Sequence, residues 1–223
     1  MRTSVKFLPE FQIISTREAV SVKVDFKKSI ASYKAKSGQF SVIEVPTMNF
    51  IAINGDKGPA SKEFTAAIET LYPVAYHLKF MSKRSLEKDY VVPPLEAIWW
   101  ARDMDAFTTK FDQSQWEWTA MIMVPDWITD AMVQSSLSDV TAKKAPPSID
   151  KLRLTQIDEG ICVQTMHIGS YSDEGPVLKE MHEKFIPNNG LQMRGKHHEI
   201  YFNDFRKVAP EKLRTMLRQP VTT

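Results

Sequence analysis

The chain has 223 residues, with 29 Lys and Arg against 27 Asp and Glu and a formal net charge of +2. That length buries a core without disulfide or metal staples, and the near balance of charge argues against a dedicated nucleic-acid surface, which would cluster cations. The single Cys162 excludes an internal disulfide and a cysteine-rich metal site. No apolar run nears the ~20 residues of a membrane span, and Met1–Glu10 lacks a secretory apolar stretch, so a cytoplasmic protein without a membrane partner is expected.

In chain order, Val20–Val24 alternates like a short strand, and Asp25–Tyr33 suits a short helix. Phe40–Val45 and Phe50–Ile53 read as strands joined by a turn at Val45-Pro46-Thr47-Met48. Asn54–Pro59 breaks the pattern. A helix then starts at Pro59/Ser61, with Phe64, Ala67, Ile68, Leu71, Val74, Ala75 and Leu78 at helical spacing and Pro73 as a bend or break. Val91–Trp100 and Trp116–Val124 predict an antiparallel strand pair, and Ile128–Ala142 a second helix. The second part repeats the first: strands at Leu152–Thr155 and Ile161–Ile168, a break at Gly169–Pro176, a helix over Val177–Phe185, and a strand over Lys196–Asn203 that answers Trp116–Val124. Ala209–Leu213 is expected to open a final helix. Two such strand-helix-strand-strand units predict an α+β fold: one antiparallel sheet with helices on one side and a concave face, with a central ligand cavity, on the other.

The stretch His197-His198-Glu199-Ile200-Tyr201 carries most of the chemistry. On a strand, Glu199, Tyr201 and His197 share one face while Ile200 and Phe202 take the other. A carboxyl buried beside tryptophan has its pKa raised and can exchange protons near neutral pH. Trp116 and Trp118 share a face of their strand, whereas at most one of Trp99 and Trp100 faces the same side. Indole faces stack flat ligands and attract cations. Tyr72, Tyr76 and Tyr90 are further candidates for that wall. The five histidines have no zinc-site spacing, and no phosphate-binding loop, dinucleotide fingerprint or nucleophile elbow is present, so no metal site is expected.

Val91–Trp100, Trp116–Pro125, His197–Tyr201 and Arg206–Pro220 together resemble the gyrase-inhibitor-like (GyrI-like) small-molecule-binding proteins. The likeness runs over about residues 25–221. It implies a duplicated α+β module with a central ligand cavity, in a stand-alone form without the DNA-binding region of multidrug-sensing regulators. On this reading residues 1–24 are an N-terminal extension, and 25–223 form one domain of two halves, about 36–145 and 146–223. Some stand-alone relatives hydrolyse the cyclopropane of DNA-alkylating natural products. Carried over, the resemblance puts the catalytic carboxylate at Glu199, with Tyr201 beside it and aromatic walls at Trp99 or Trp100, Trp116 and Trp118. The chain departs from the family pattern at Asn203-Asp204-Phe205, where Ser-Asp-Pro is usual, and at Ala97, where Gly is usual.

Two functions of different class follow. One is cofactor-independent hydrolysis of reactive cyclopropane-bearing aromatic compounds, a detoxification. The other is non-catalytic binding of planar cationic drugs, for sequestration or effector sensing, with Glu199 as the counter-charge. A third, an interaction with gyrase, rests on the family resemblance alone.

Overall fold

The computed structural model describes residues 22–107, 110 and 112–223. Val20, Ser21 and nearly all of the 1–24 extension lie outside those residues. Val24 forms a parallel bridge to Tyr90, and the predicted first helix is a single turn, α1 (Phe26–Ser29), capped by the Asp25 carboxylate and followed by a 3-10 turn at Ala31–Tyr33. The strands are β1 (Ser41–Val45), β2 (Met48–Asp56), β3 (Leu95–Ala101), β4 (Trp116–Val124), β5 (Arg153–Ile157), β6 (Gly160–Ile168), β7 (Gln192–Met193), β8 (His197–Tyr201) and β9 (Arg214–Thr222). The longer helices are α2 (Lys62–Ser85) and α3 (Asp130–Lys144). The second half carries α4 (Gly175–Glu180), which runs through a π-helical turn at Met181–Phe185 into α5 (Ile186–Asn188).

These strands form one antiparallel sheet in the order β1-β6-β9-β8-β3-β4-β2-β5, with β7 on the end of β9. The duplication is visible in that order. The set β2-α2-β3-β4 and the set β6-α4-β8-β9 each place their strands alike, and β3 meets β8 at the centre. The leading strands are exchanged: β1 precedes β2 in the chain but pairs with β6, and β5 precedes β6 but pairs with β2. Val45–Met48 is therefore a crossing between halves rather than a hairpin turn.

Two sequence expectations are corrected here. By topology β8 answers β3, and it is β9 that answers Trp116–Val124. The expected final helix at Ala209–Leu213 is a single 3-10 turn, Pro210–Lys212, after which the chain becomes β9. Glu, Lys, Leu, Arg, Met and Gln favour helix by propensity. However, β9 lies between β6 and β8 with both faces buried, so pairing and packing override that preference and erase the period-two pattern of a half-exposed strand.

Helix α2 begins where Ser61 Oγ accepts from the Phe64 amide, and runs unbroken through Pro73. The proline removes one amide donor, to the Glu69 carbonyl, yet the buried face of Phe64, Ala67, Leu71, Val74 and Leu78 holds the helix on the sheet. Helices α2 and α3 cover Ile51, Ile53, Ala97, Trp99, Ala120 and Ile122, while Met181 and Ile186 of the second half cover Val163, Leu217 and Val221. Both helix layers lie on one face, as expected. The other face is not an open concavity: Phe50, Met121, Met123, Ile200 and Met216 are packed there under Tyr33, Phe26 and Ile30.

Beneath that cover lies a buried ionic network absent from the sequence reading. Glu96, His198, Gln164 and Arg218 have no exposed surface. The Tyr33 hydroxyl donates to Glu96 Oε1 at 2.5 Å, and His198 sits 3.0 Å from both Glu96 Oε2 and Glu159 Oε1. Arg218 donates to Glu159 (2.8 Å), to the Gln164 side chain (3.1 Å) and to the Ser32 carbonyl (2.7 Å). Burial alone would push His198 down, but the charge and hydrogen bonds of Glu159 and Glu96 win and raise it to about 9. Burial likewise opposes ionisation of Glu159, yet His198 and Arg218 hold it at about 2. The network locks β8 against β3, and strand alternation then commits His197, Glu199 and Tyr201 to the opposite, helix-bearing face.

Candidate functional site on the central strands

In the β3–β8 register Leu95 faces Tyr201, Ala97 faces Glu199 and Trp99 faces His197. The small Ala97 side chain leaves the space above Glu199 to its neighbours. Trp99 Nε1 donates to the Tyr201 hydroxyl at 3.0 Å, and that hydroxyl donates to Glu199 Oε2 at 2.6 Å. Burial first, then the charge and hydrogen bond of Glu199, raise the Tyr201 pKa well above the ordinary phenol range. Tyr201 therefore stays a phenol and acts as a donor. Glu199 Oε1 lies 3.6 Å from His197 Nε2, and both side chains are mostly buried.

The aromatic wall comes from the first half. Phe64 packs on Trp99 with ring centroids 5.1 Å apart, Trp116 meets Trp99 edge-on at 5.8 Å, and Phe107 stacks on Trp116 at 4.2 Å. Tyr171 from the second half meets Tyr201 edge-on at 5.7 Å. Of the Trp99/Trp100 alternatives, Trp99 is the one on the Glu199 side. Trp100 points to the other side of β3, with the Lys196 ammonium 3.0 Å from its ring centroid.

Of the remaining candidates, Trp118 joins the aromatic wall from behind and the tyrosines are spread around it. Trp118, the register partner of Trp99, lies buried on the helix face and meets Phe64 edge-on at 5.0 Å; its indole donates to the Asp56 carbonyl and covers Gly55. There it walls a separate cleft of about 300 Å3 with Lys62, Ser148 and Lys151. Tyr72 is partly buried on α2 against the cluster that holds Tyr201; burial, then the nearby Asp204, raise its pKa. Tyr76 stacks on Tyr72 at 6.5 Å but is 48% exposed. Tyr90 is buried away from Glu199, between Phe26 and Trp127.

Three residues not singled out before join the site from the second half. Glu174 is 5% exposed, and burial, then the charge of Glu199, lift its pKa to about 9. His182, on the π-helical turn, faces His197 edge-on at 6.2 Å; burial and then His197 lower it to about 4, so it is neutral at pH 7. Thr215 on β9 is the Cα partner of Tyr201. The only sequence cue was the break at Gly169–Pro176, which answers the one at Asn54–Pro59. That break placed the helix but gave no direction to Glu174, which precedes it.

A sheet with helices on one face, and a carboxyl–phenol–indole chain between its two halves, defines a duplicated small-molecule-binding module. The chain belongs to the GyrI-like small molecule binding domain family, which it matches over residues 38–222. Among solved structures it is similar to an uncharacterized conserved protein from Listeria innocua, with 36% identity, a TM-score of 0.82, and coverage of 90% of this chain and 100% of that one. It is also similar to a hydrolase from Listeria innocua at 35% identity and a TM-score of 0.79, with the same coverage. The EcmrR C-terminal domain shares the fold at 12% identity and a TM-score of 0.52, over 83% of this chain and 98% of that one. No functionally curated protein matches. No helix among the described residues is long and apolar enough to cross a membrane.

Proposed function

We propose that this protein hydrolyses reactive, cyclopropane-bearing aromatic small molecules without a cofactor, with Glu199 as the group that activates water. The observation carrying this reading is the chain Trp99 N–H to Tyr201 O–H to Glu199. It fixes one carboxylate oxygen and leaves the other directed toward His197. The likeness at 35% identity to a protein described as a hydrolase supports the same class.

In this mechanism the flat ring system rests against Trp99 and the aromatic residues behind it. Glu199 takes a proton from a water whose oxygen attacks the cyclopropane methylene. The ring bond to that methylene breaks, and its electron pair flows into the conjugated carbonyl, which gains a proton and becomes a phenol. Aromatisation makes the step downhill, so catalysis consists of positioning and proton management. Tyr201 holds the Glu199 carboxylate in place.

The test is ring opening in 18O-labelled water under single-turnover conditions. Direct attack by water places the label on the new hydroxymethyl carbon. Unlabelled product, with label in the protein, would show that a side chain attacked instead. Absence of turnover, with strong quenching of tryptophan fluorescence by lipophilic cations, would favour the binding-only function.

A further inference from the structure

The second-half side of Glu199 carries a cluster of buried polar atoms that lack partners. Glu174 Oε1, His182 Nε2 and both ring nitrogens of His197 are buried without a hydrogen-bond partner, and the Thr215 hydroxyl lies against the Glu174 carboxyl. Buried polar atoms are nearly always paired, and a group of such exceptions marks a place where a ligand or ordered water completes the bonding. His182 reaches His197 in this cluster from a π-helical turn, a rare distortion that recurs at functional sites. The two carboxyls there differ in surroundings. Glu199 receives the Tyr201 hydroxyl and keeps some solvent contact, whereas Glu174 is more deeply buried and has no donor for Oε1.

We propose that Glu174 is the second catalytic carboxyl of this site, entering the reaction protonated and delivering that proton to the substrate carbonyl as the cyclopropane opens. This deepens the hydrolase reading above and rests on it. The balance is complete: water loses one proton to Glu199 and forms the new C–O bond, the ring C–C bond breaks, and the carbonyl oxygen takes the Glu174 proton. Proton exchange with solvent then resets both carboxyls. The rise of Glu174 to about 9 agrees with this role, since two carboxyls in one site do not readily ionise together.

The experiment compares wild type, Glu174→Gln and Glu199→Gln on one cyclopropane-bearing aromatic compound, with a pH profile and a separate binding measurement by tryptophan quenching. Gln keeps the shape and neutrality of the protonated acid, so Glu174→Gln is expected to fold and to bind the compound within about threefold of wild type. Its kcat should fall by roughly 10²–10⁴-fold, the range for loss of a general acid. The groups that interact with Glu174 are Glu199, Tyr171, Tyr201 and Thr215, with the His182–His197 pair next to Glu199. On the far face His198 titrates near 9 as well, so the alkaline limb is assigned by its loss in Glu174→Gln and not from the wild-type profile alone. Wild-type rates and an unchanged limb in Glu174→Gln, with Glu199→Gln inactive, would overturn the proposal and leave the hydrolase reading standing. Absence of turnover by wild type would overturn both. A variant that fails to fold is replaced by infrared difference spectra of the wild type. A protonated carboxyl band at pH 7 that is lost on titration through about 9 is required, and its absence overturns the proposal.

Discussion

Glu174 shows how a buried carboxyl weakens the fold around it. Its carboxyl is held at about 9 in the folded protein against an ordinary 4.5. The unfolded chain therefore releases a proton that the folded chain keeps. The stability contribution is full below pH 4.5 and is lost as pH rises through about 9. Glu174→Gln removes that dependence, so its thermal midpoint should exceed wild type increasingly from pH 6 to pH 8.5 and converge with it near pH 4.5. Equal midpoints at pH 8.5 would contradict the buried, protonated carboxyl. Tyr201 gives a second prediction. Tyr201→Phe deletes both the acceptor for Trp99 Nε1 and the donor to Glu199. It should lower kcat by about 10-fold or more while leaving ligand quenching largely intact, as expected when a catalytic group loses its orientation; a change confined to KM would assign Tyr201 to binding alone.

At the level of strands, the two sides of β8 divide function from architecture. His198 and Ile200 anchor it in the far-face network and core, and His197, Glu199 and Tyr201 face the candidate site. His198, raised to about 9 from 6.5, stabilises fully below pH 6.5 and loses that effect as pH rises through 9. Glu159, depressed to about 2 from 4.5, stabilises above pH 4.5 and fails only as pH falls through 2. His198→Asn should be destabilised by roughly 3–5 kcal/mol, the cost of stripping one partner from a buried ionic group. Denaturant midpoints at pH 6.5 check this, and a loss under 1 kcal/mol would contradict it. The alternation of His197–Tyr201 was readable from strand periodicity, which sets Glu199 and Tyr201 opposite Ile200; the burial of the polar His198 on the Ile200 face was not. Arg218 and Gln164 were not readable as partners, since their neighbours lie 59 and 130 positions away in the chain. Gly55 is a further position where only space decides: an added Cβ would lie 2.2 Å from the Trp118 ring. Gly55→Ala should cost about 1–3 kcal/mol, as overpacking does; an unchanged urea midpoint would show that Trp118 can move.

Across the whole molecule, the two halves have kept one topology and divided the work. The first supplies stacked aromatic rings, and the second supplies carboxyls, imidazoles and a hydroxyl. The repeat was legible in the matching order of strands, breaks at Asn54–Pro59 and Gly169–Pro176, and helices. The exchange of β1 and β5 between halves was not, because local patterning predicts strands without naming their partners. Nor was β9, whose helix-forming composition is overruled only by neighbours on both sides. That exchange ties the halves together through the sheet, so the central β3–β8 pair can hold a site without a hinge. The central claim is that Glu199 does chemistry at this junction. It is tested most directly by measuring kcat and ligand quenching together for Glu199→Gln with a cyclopropane-bearing aromatic compound. The account predicts retained quenching with kcat reduced by roughly 10²–10⁴-fold; turnover at the wild-type rate would contradict it.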